Sequence, residues 1–172
     1  MLVNKFHFIS KEVCSLDLSQ LTFREATLKD LDKIVFMLAD DMLGQKRERY
    51  TQPLLESYIK AFHSIDADPN IELMVASDQE EAVGVLQLTM TPFLTHQGGW
   101  RASIEGVRTA STHRGKGVGK LLIKWAIQRA SDSGCHMVQL TTDKQRPDAH
   151  RFYEKLGFEA THDGMKLHLP HQ

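Results

Sequence analysis

The 172-residue chain is poor in cysteine and tryptophan, has two of each, and carries a formal net charge of only −1. Cys14 and Cys135 lie far apart and form no CxxC pair, so they read as reduced thiols of a reducing compartment rather than a disulfide framework. The near-neutral balance offers no large electrostatic pull toward nucleic acid or an anionic membrane, so neither is an expected partner. No apolar run approaches the roughly 20 residues of a membrane span. The opening stretch, MLVNKFHFISKEVCSLDLSQ, is broken by Asn4, Lys5 and His7 and lacks the continuous apolar core of a secretory signal. The expected location is the cytoplasm. Nine histidines, among them His96, His113, His136, His150 and His162, show no ligand-like spacing with Cys, Asp or Glu, so no metal is expected.

Hydrophobic residues make up 41% of the chain and charged residues 25%, the mix of an ordinary globular domain long enough to bury a core. Residues 1–20 fit no pattern and are set apart as an N-terminal extension; residues 21–172 are read as one continuous domain without repeat or linker. Residues 21–27 alternate as a first strand. Thr27 is an N-cap with Asp30 three residues on, followed by Leu31, Ile34, Val35, Leu38 and Met42 at helical spacing and by Gly44 as the stop. Pro53 is expected to begin a second helix bearing Leu54, Tyr58, Ile59 and Phe62. Residues 71–77 and 82–90 form a hairpin around DQEE, and residues 101–109 return antiparallel after the Gly-Gly turn. A helix ending near Gly134, a strand at 135–142, a helix at 147–158 and a last strand at 165–170 complete the order. The fold class is α+β, with a mixed, mostly antiparallel sheet flanked by helices on both faces and one right-handed parallel crossover over 101–142.

Between that strand and helix lies HRGKGVGK, residues 113–120. A helix start leaves backbone N–H groups without partners and carries partial positive charge. Gly115, Gly117 and Gly119 have no Cβ atoms, so an anion can approach the main chain, and Arg114, Lys116 and Lys120 add charge around it. Together they suit a pyrophosphate; a tight turn with solvated basic residues is the plainer alternative. The stretch lacks the spacing and the hydroxyl of a P-loop. It also follows a late strand, where a dinucleotide-binding fingerprint would follow an early one.

RGKGVG (114–119) resembles the Arg/Gln-x-x-Gly-x-Gly/Ala signature of the GNAT N-acetyltransferases, and RFYEKLGF (151–158) resembles that family's second hallmark segment. The resemblance covers roughly residues 21–169. It implies the acyl-CoA N-acyltransferase fold and acetyl-CoA as the acetyl donor. Its pyrophosphate would lie on the main chain of Arg114, Gly115, Lys116, Gly117, Val118, Gly119 and Lys120. The strand before the loop would splay from the next one, and the backbone of Val107, Arg108 and Thr109 would pair with the pantetheine amides. Many relatives carry Asn just after the following strand; here the place is held by Asp143, which cannot donate when ionised and is an alternative turn cap or partner for Lys144 or Arg146.

The implied chemistry is transfer to a primary amine by direct attack in a ternary complex. Tyr153 is the candidate general acid, with a purely packed ring as the alternative. Glu105 is the candidate base, acting through a water, with Asp41 and Glu48 as rivals; an exposed Glu105, or one paired with Arg101 or Arg108, is the alternative. KRER (46–49) is ordinarily a solvated charge run. In the family this region lines the acceptor site, which makes Arg47, Glu48, Arg49 and Tyr50 candidate acceptor contacts. The loop 95–100 with Trp100 is the opposite wall or a contact in a homodimer. The acceptor is a small-molecule amine or a peptide amine. A CoA-binding regulatory module without turnover is the competing reading, and a DNA-binding regulator is a second, disfavoured by the charge and by the lack of a recognition-helix unit.

Overall fold

The structure, a computed structural model, describes residues 17–169. Most of the N-terminal extension, including Cys14, and the last residue of the expected strand 165–170 lie outside the described residues. Five strands form one sheet in the order β1-β2-β3-β4-β5. They are β1 (Thr22–Glu25), β2 (Ile71–Asp78), β3 (Glu81–Pro92), β4 (Trp100–Thr109) and β5 (Cys135–Leu140). Neighbours through β4 are antiparallel; β4 and β5 are parallel, joined by the helical crossover the pattern predicts.

Strand alternation divides the core. Met74 and Ala76 of β2 face one side, where helix α4 (Val118–Asp132) and helix α5 (Pro147–Glu154) pack. Leu73 and Val75 face the other, under α1 (Leu31–Ala39) and α2 (Glu56–Asp66). The short turn α3 (Thr95–Gly98) links β3 to β4 with His96 and Gln97 in the left-handed region. Val118, Leu122 and Ile123 of α4 are fully buried, a contribution of roughly 1.5–3 kcal/mol each. Gly84 on β3 permits this approach: a Cβ there would lie 2.9 Å from both Val118 Cγ1 and Leu122 Cδ1. Among the described residues no helix is long and apolar enough to cross a membrane.

Three expectations are corrected. Helix α1 ends at Ala39, before Met42, which is 62% exposed. Gly44 is not its stop but a packing point, since a Cβ there would lie 2.0 Å from the Leu38 carbonyl oxygen. Pro53 does not open α2: its carbonyl accepts from Thr51 Oγ1 at 2.9 Å in a separate turn, and the helix begins at Glu56. Residues 165–169 form no strand, because no sheet edge receives them; Met165, Leu167 and Leu169 alternate but stay exposed.

Candidate active site

The loop 110–118 converts the end of β4 into the start of α4. His113 N donates to Ala110 O at 2.8 Å, closing a single 3-10 turn. Gly115 (φ 74°) and Gly117 (φ 94°) then take left-handed conformations that side chains rarely adopt. Val118, held in the notch over Gly84, fixes the helix start on the sheet. The amides of Gly115, Gly117, Val118, Gly119 and Lys120 have no acceptor among the described residues, so five donors gather at the positive end of a 15-residue helix. Leu18, from the described end of the extension, reaches within 3.1 Å of where a Gly117 Cβ would stand. Arg114 is turned away from these amides: its guanidinium donates to Thr109 O at 3.2 Å and to the Asp40 carboxylate at 2.9 Å, tying the loop to the end of α1. Lys116 and Lys120 are exposed beside the loop.

Pairing between β4 and β5 stops at Ile104 and Leu140, and β4 runs on alone on that side through Thr109. This leaves an open edge leading to the glycine loop. On the opposite side, Glu105 pairs with Gln87 and Arg108 with Val85, so β4 holds one extra residue, at Gly106 (φ 62°). Because Gln87 and Val85 share a face, the bulge puts Glu105 and Arg108 on one face, toward α1. Val107 instead packs into the α4-side core. The Val107 carbonyl accepts from Arg108 Nη1 at 2.8 Å.

Beneath the bulge two guanidiniums share one carboxylate. Asp41 Oδ1 accepts from Arg146 Nη2 at 2.5 Å, while Asp41 Oδ2 accepts from Arg108 Nη2 at 3.5 Å and from the Gly44 amide at 3.2 Å. Arg108 is only 10% exposed and Asp41 11%. Burial pulls the Arg108 guanidinium below its usual value, opposed by the charge of Asp41, while Arg146 and Arg47 push the same way as burial. Its Nε is buried without a partner among the described residues. Arg47 pairs with Glu48 at 3.3 Å, and Glu48 accepts from the Tyr58 hydroxyl at 3.0 Å. An open cavity of about 320 Å³ adjoins the cluster, lined by Asp41, Met42, Gln145, Arg146 and Pro147 among others.

Tyr153 of α5 sits in an aromatic cluster with Phe152 and Phe158, ring centroids 5.1 and 5.9 Å away. Burial pushes its hydroxyl above the usual tyrosine value; Arg146 and Arg108 draw it down, and Glu105 adds a smaller push upward. Arg146, Arg108 and Glu105 therefore all bear electrostatically on the Tyr153 hydroxyl. Glu105 is exposed. Asp143 caps the turn before α5, accepting from the Gln145 amide at 2.8 Å, while its carbonyl accepts from the Arg146 amide at 2.9 Å. Of the acceptor-side residues, Arg47 and Glu48 join this neighbourhood. Tyr50 is engaged elsewhere: its hydroxyl donates to Asp32, in the first turn of α1, at 2.9 Å. The roles of the Arg108 and Arg146 side chains in the cluster had no local sequence signal; only a charged residue near the end of the strand and another before α5 were visible.

An open strand edge that ends at unpaired helix-start amides can receive an extended ligand with an anionic end. The sequence model of the acetyltransferase (GNAT) family matches residues 35–158, and the chain belongs to that family. Aminoalkylphosphonate N-acetyltransferase of Salmonella typhimurium is 30% identical over 139 residues, which are 81% of this chain and 85% of that protein. Among solved structures, a Bacillus halodurans protein described as a transcriptional regulator is 62% identical with a TM-score of 0.85, covering 87% of this chain and 99% of its own. A putative acetyltransferase from Agrobacterium tumefaciens is 28% identical with a TM-score of 0.76, over 86% of this chain and 99% of its own.

Proposed function

We propose that the protein transfers the acetyl group of acetyl-CoA to the primary amine of a small molecule, by direct attack with both substrates bound. The observation that carries this reading is the continuity of the open β4 edge, Glu105–Thr109, with the five free amides at the start of α4. The amides of Gly115, Gly117, Val118, Gly119 and Lys120 would receive the pyrophosphate, with Lys116 and Lys120 adding charge. Arg114 and Asp143 would serve by position, holding the loop to α1 and the turn before α5. The backbone of Val107, Arg108 and Thr109 would receive the pantetheine amides once the guanidiniums on the Val107 and Thr109 carbonyls move aside.

Acetyl-CoA supplies an acyl group already activated by its bond to sulfur. The chain's residues then orient and move protons. The amine nitrogen forms a bond to the acetyl carbon, the carbon–sulfur bond breaks, and sulfur keeps the electron pair. Tyr153, kept protonated by burial, donates its proton to that sulfur and regains one from solvent. Glu105 takes the proton lost by the amine through a water. Asp41, with both oxygens engaged by guanidiniums, is the weaker candidate for that step. The Salmonella relative's named acceptor is itself a small amine, which supports a metabolite over a peptide.

Tyr153→Phe tests the reading. It is expected to lower kcat by about 100-fold while acetyl-CoA affinity changes little. Unchanged kcat makes the ring a packing element only. The Bacillus relative's description favours one rival, a DNA-binding regulator. Acetyl transfer to an amine without any DNA, together with no mobility shift of duplex DNA, decides against it.

A further inference from the structure

We propose that Arg108 and Arg146, joined through Asp41, form a recognition site for an anionic group on the acceptor, so that the acceptor is a small amine that also carries an oxyanion. The inference rests on the acetyl-transfer reading and names its substrate class. Three observations carry it. First, Arg108 is nine-tenths buried, yet its Nε has no partner among the described residues, although a buried guanidinium is costly unless its donors are satisfied. Second, Arg146 uses only Nη2 on Asp41, is 32% exposed, and lines the open cavity of about 320 Å³, the size of a small-ligand site. The other carboxylate lining that cavity, Asp148, is paired with Arg151.

Third, the charges are placed for a molecule with two poles. Arg47, Arg108 and Arg146 face Asp41 and Glu48, which leaves an excess of one positive charge where the guanidiniums converge. Glu105 stands on the same strand face as Arg108, close enough to Tyr153 to shift its hydroxyl. An amine drawn to Glu105 and an oxyanion drawn to Arg108 and Arg146 would engage both poles at once. A neutral alkylamine would satisfy only the first and leave the Arg108 donor bare. Arginine suits the task, because its planar fork presents paired donors to phosphonate, sulfonate or carboxylate alike.

The test compares amines of similar length: aminoethylphosphonate, taurine, β-alanine and propylamine. At least one anionic amine is expected to show kcat/KM about 100-fold or more above propylamine, since a site built for a charged group rejects the analogue that lacks it. Arg146→Ala is expected to collapse that ratio toward one, whatever it does to the rates themselves, and Arg146→Lys to restore part of it. Propylamine used as well as every anionic amine overturns the proposal, as does a ratio unchanged in Arg146→Ala. Calorimetry with methylphosphonate, taurine and propionate separates the two readings. Binding of one of them that is lost in Arg146→Ala, with no amine acetylated, sinks the transfer reading and keeps the anion site. Turnover confined to neutral amines keeps the transfer reading and sinks the anion site.

Discussion

Arg146, on the turn before α5, donates to Asp41, at the end of α1, across 2.5 Å and 105 residues of sequence. The same carboxylate receives Arg108 from β4. One acidic side chain thus joins three elements that border the open strand edge, and the position of Tyr153 in the next helix depends on it indirectly through α5.

Removing that carboxylate leaves a buried guanidinium without its counter-charge. Asp41→Asn is therefore expected to destabilise the fold by about 3 kcal/mol, the scale for breaking one side of a buried pair. Urea unfolding of the variant against the parent measures it. A change within about 0.5 kcal/mol, the range of ordinary surface substitutions, contradicts the account.

The two left-handed glycines of the loop separate backbone strain from ligand approach. A Cβ on Gly115 meets nothing within 4 Å, so Gly115→Ala is expected to cost only the strain of φ 74°, about 1–2 kcal/mol. Gly117→Glu adds bulk against Leu18 and a negative charge beside the free amides. It is expected to weaken acetyl-CoA binding by about 100-fold or more, measured by calorimetry on folded protein. Equal affinities for the two variants would remove the loop from the cofactor site.

Acid stability has its own marker. Arg24, donating to both oxygens of Asp30 at 2.8 Å, is the main cause that lowers the Asp30 carboxyl from 3.8 to about 2, with the Thr27 amide and hydroxyl assisting against the effect of burial. A carboxyl depressed in the folded state binds its proton more readily when unfolded. Its contribution is complete above pH about 4 and is lost as pH falls toward about 2. Asp30→Asn is expected to cost about 2 kcal/mol at neutral pH and to flatten the stability curve in that window. A parallel curve for variant and parent refutes the assignment.

The sequence was legible where structure is local. Thr27 and Asp30 do meet at the start of the first helical segment, although there the Thr27 amide and hydroxyl donate to Asp30. The glycine loop runs into α4, and Gly157 ends the α5 region with φ 93°. Relations set by distant contacts were not legible. Arg108 reads as one more residue of an alternating strand until the extra residue at Gly106 turns it to the face of Glu105. Arg114, read as a charge for the phosphate loop, reaches across to Asp40, which no nearby residue announces. The alternation at 165–169 is genuine, but a strand needs a partner edge, and periodicity alone does not provide one.

The central claim concerns the main chain at the start of α4, and amide chemical shifts report on it directly. In protein labelled with nitrogen-15 and titrated with acetyl-CoA, the amides of Gly115, Gly117, Val118, Gly119 and Lys120 are predicted to move most, and ADP is predicted to shift the same set. If those amides stay in place while the thioester binds elsewhere or not at all, the account is wrong.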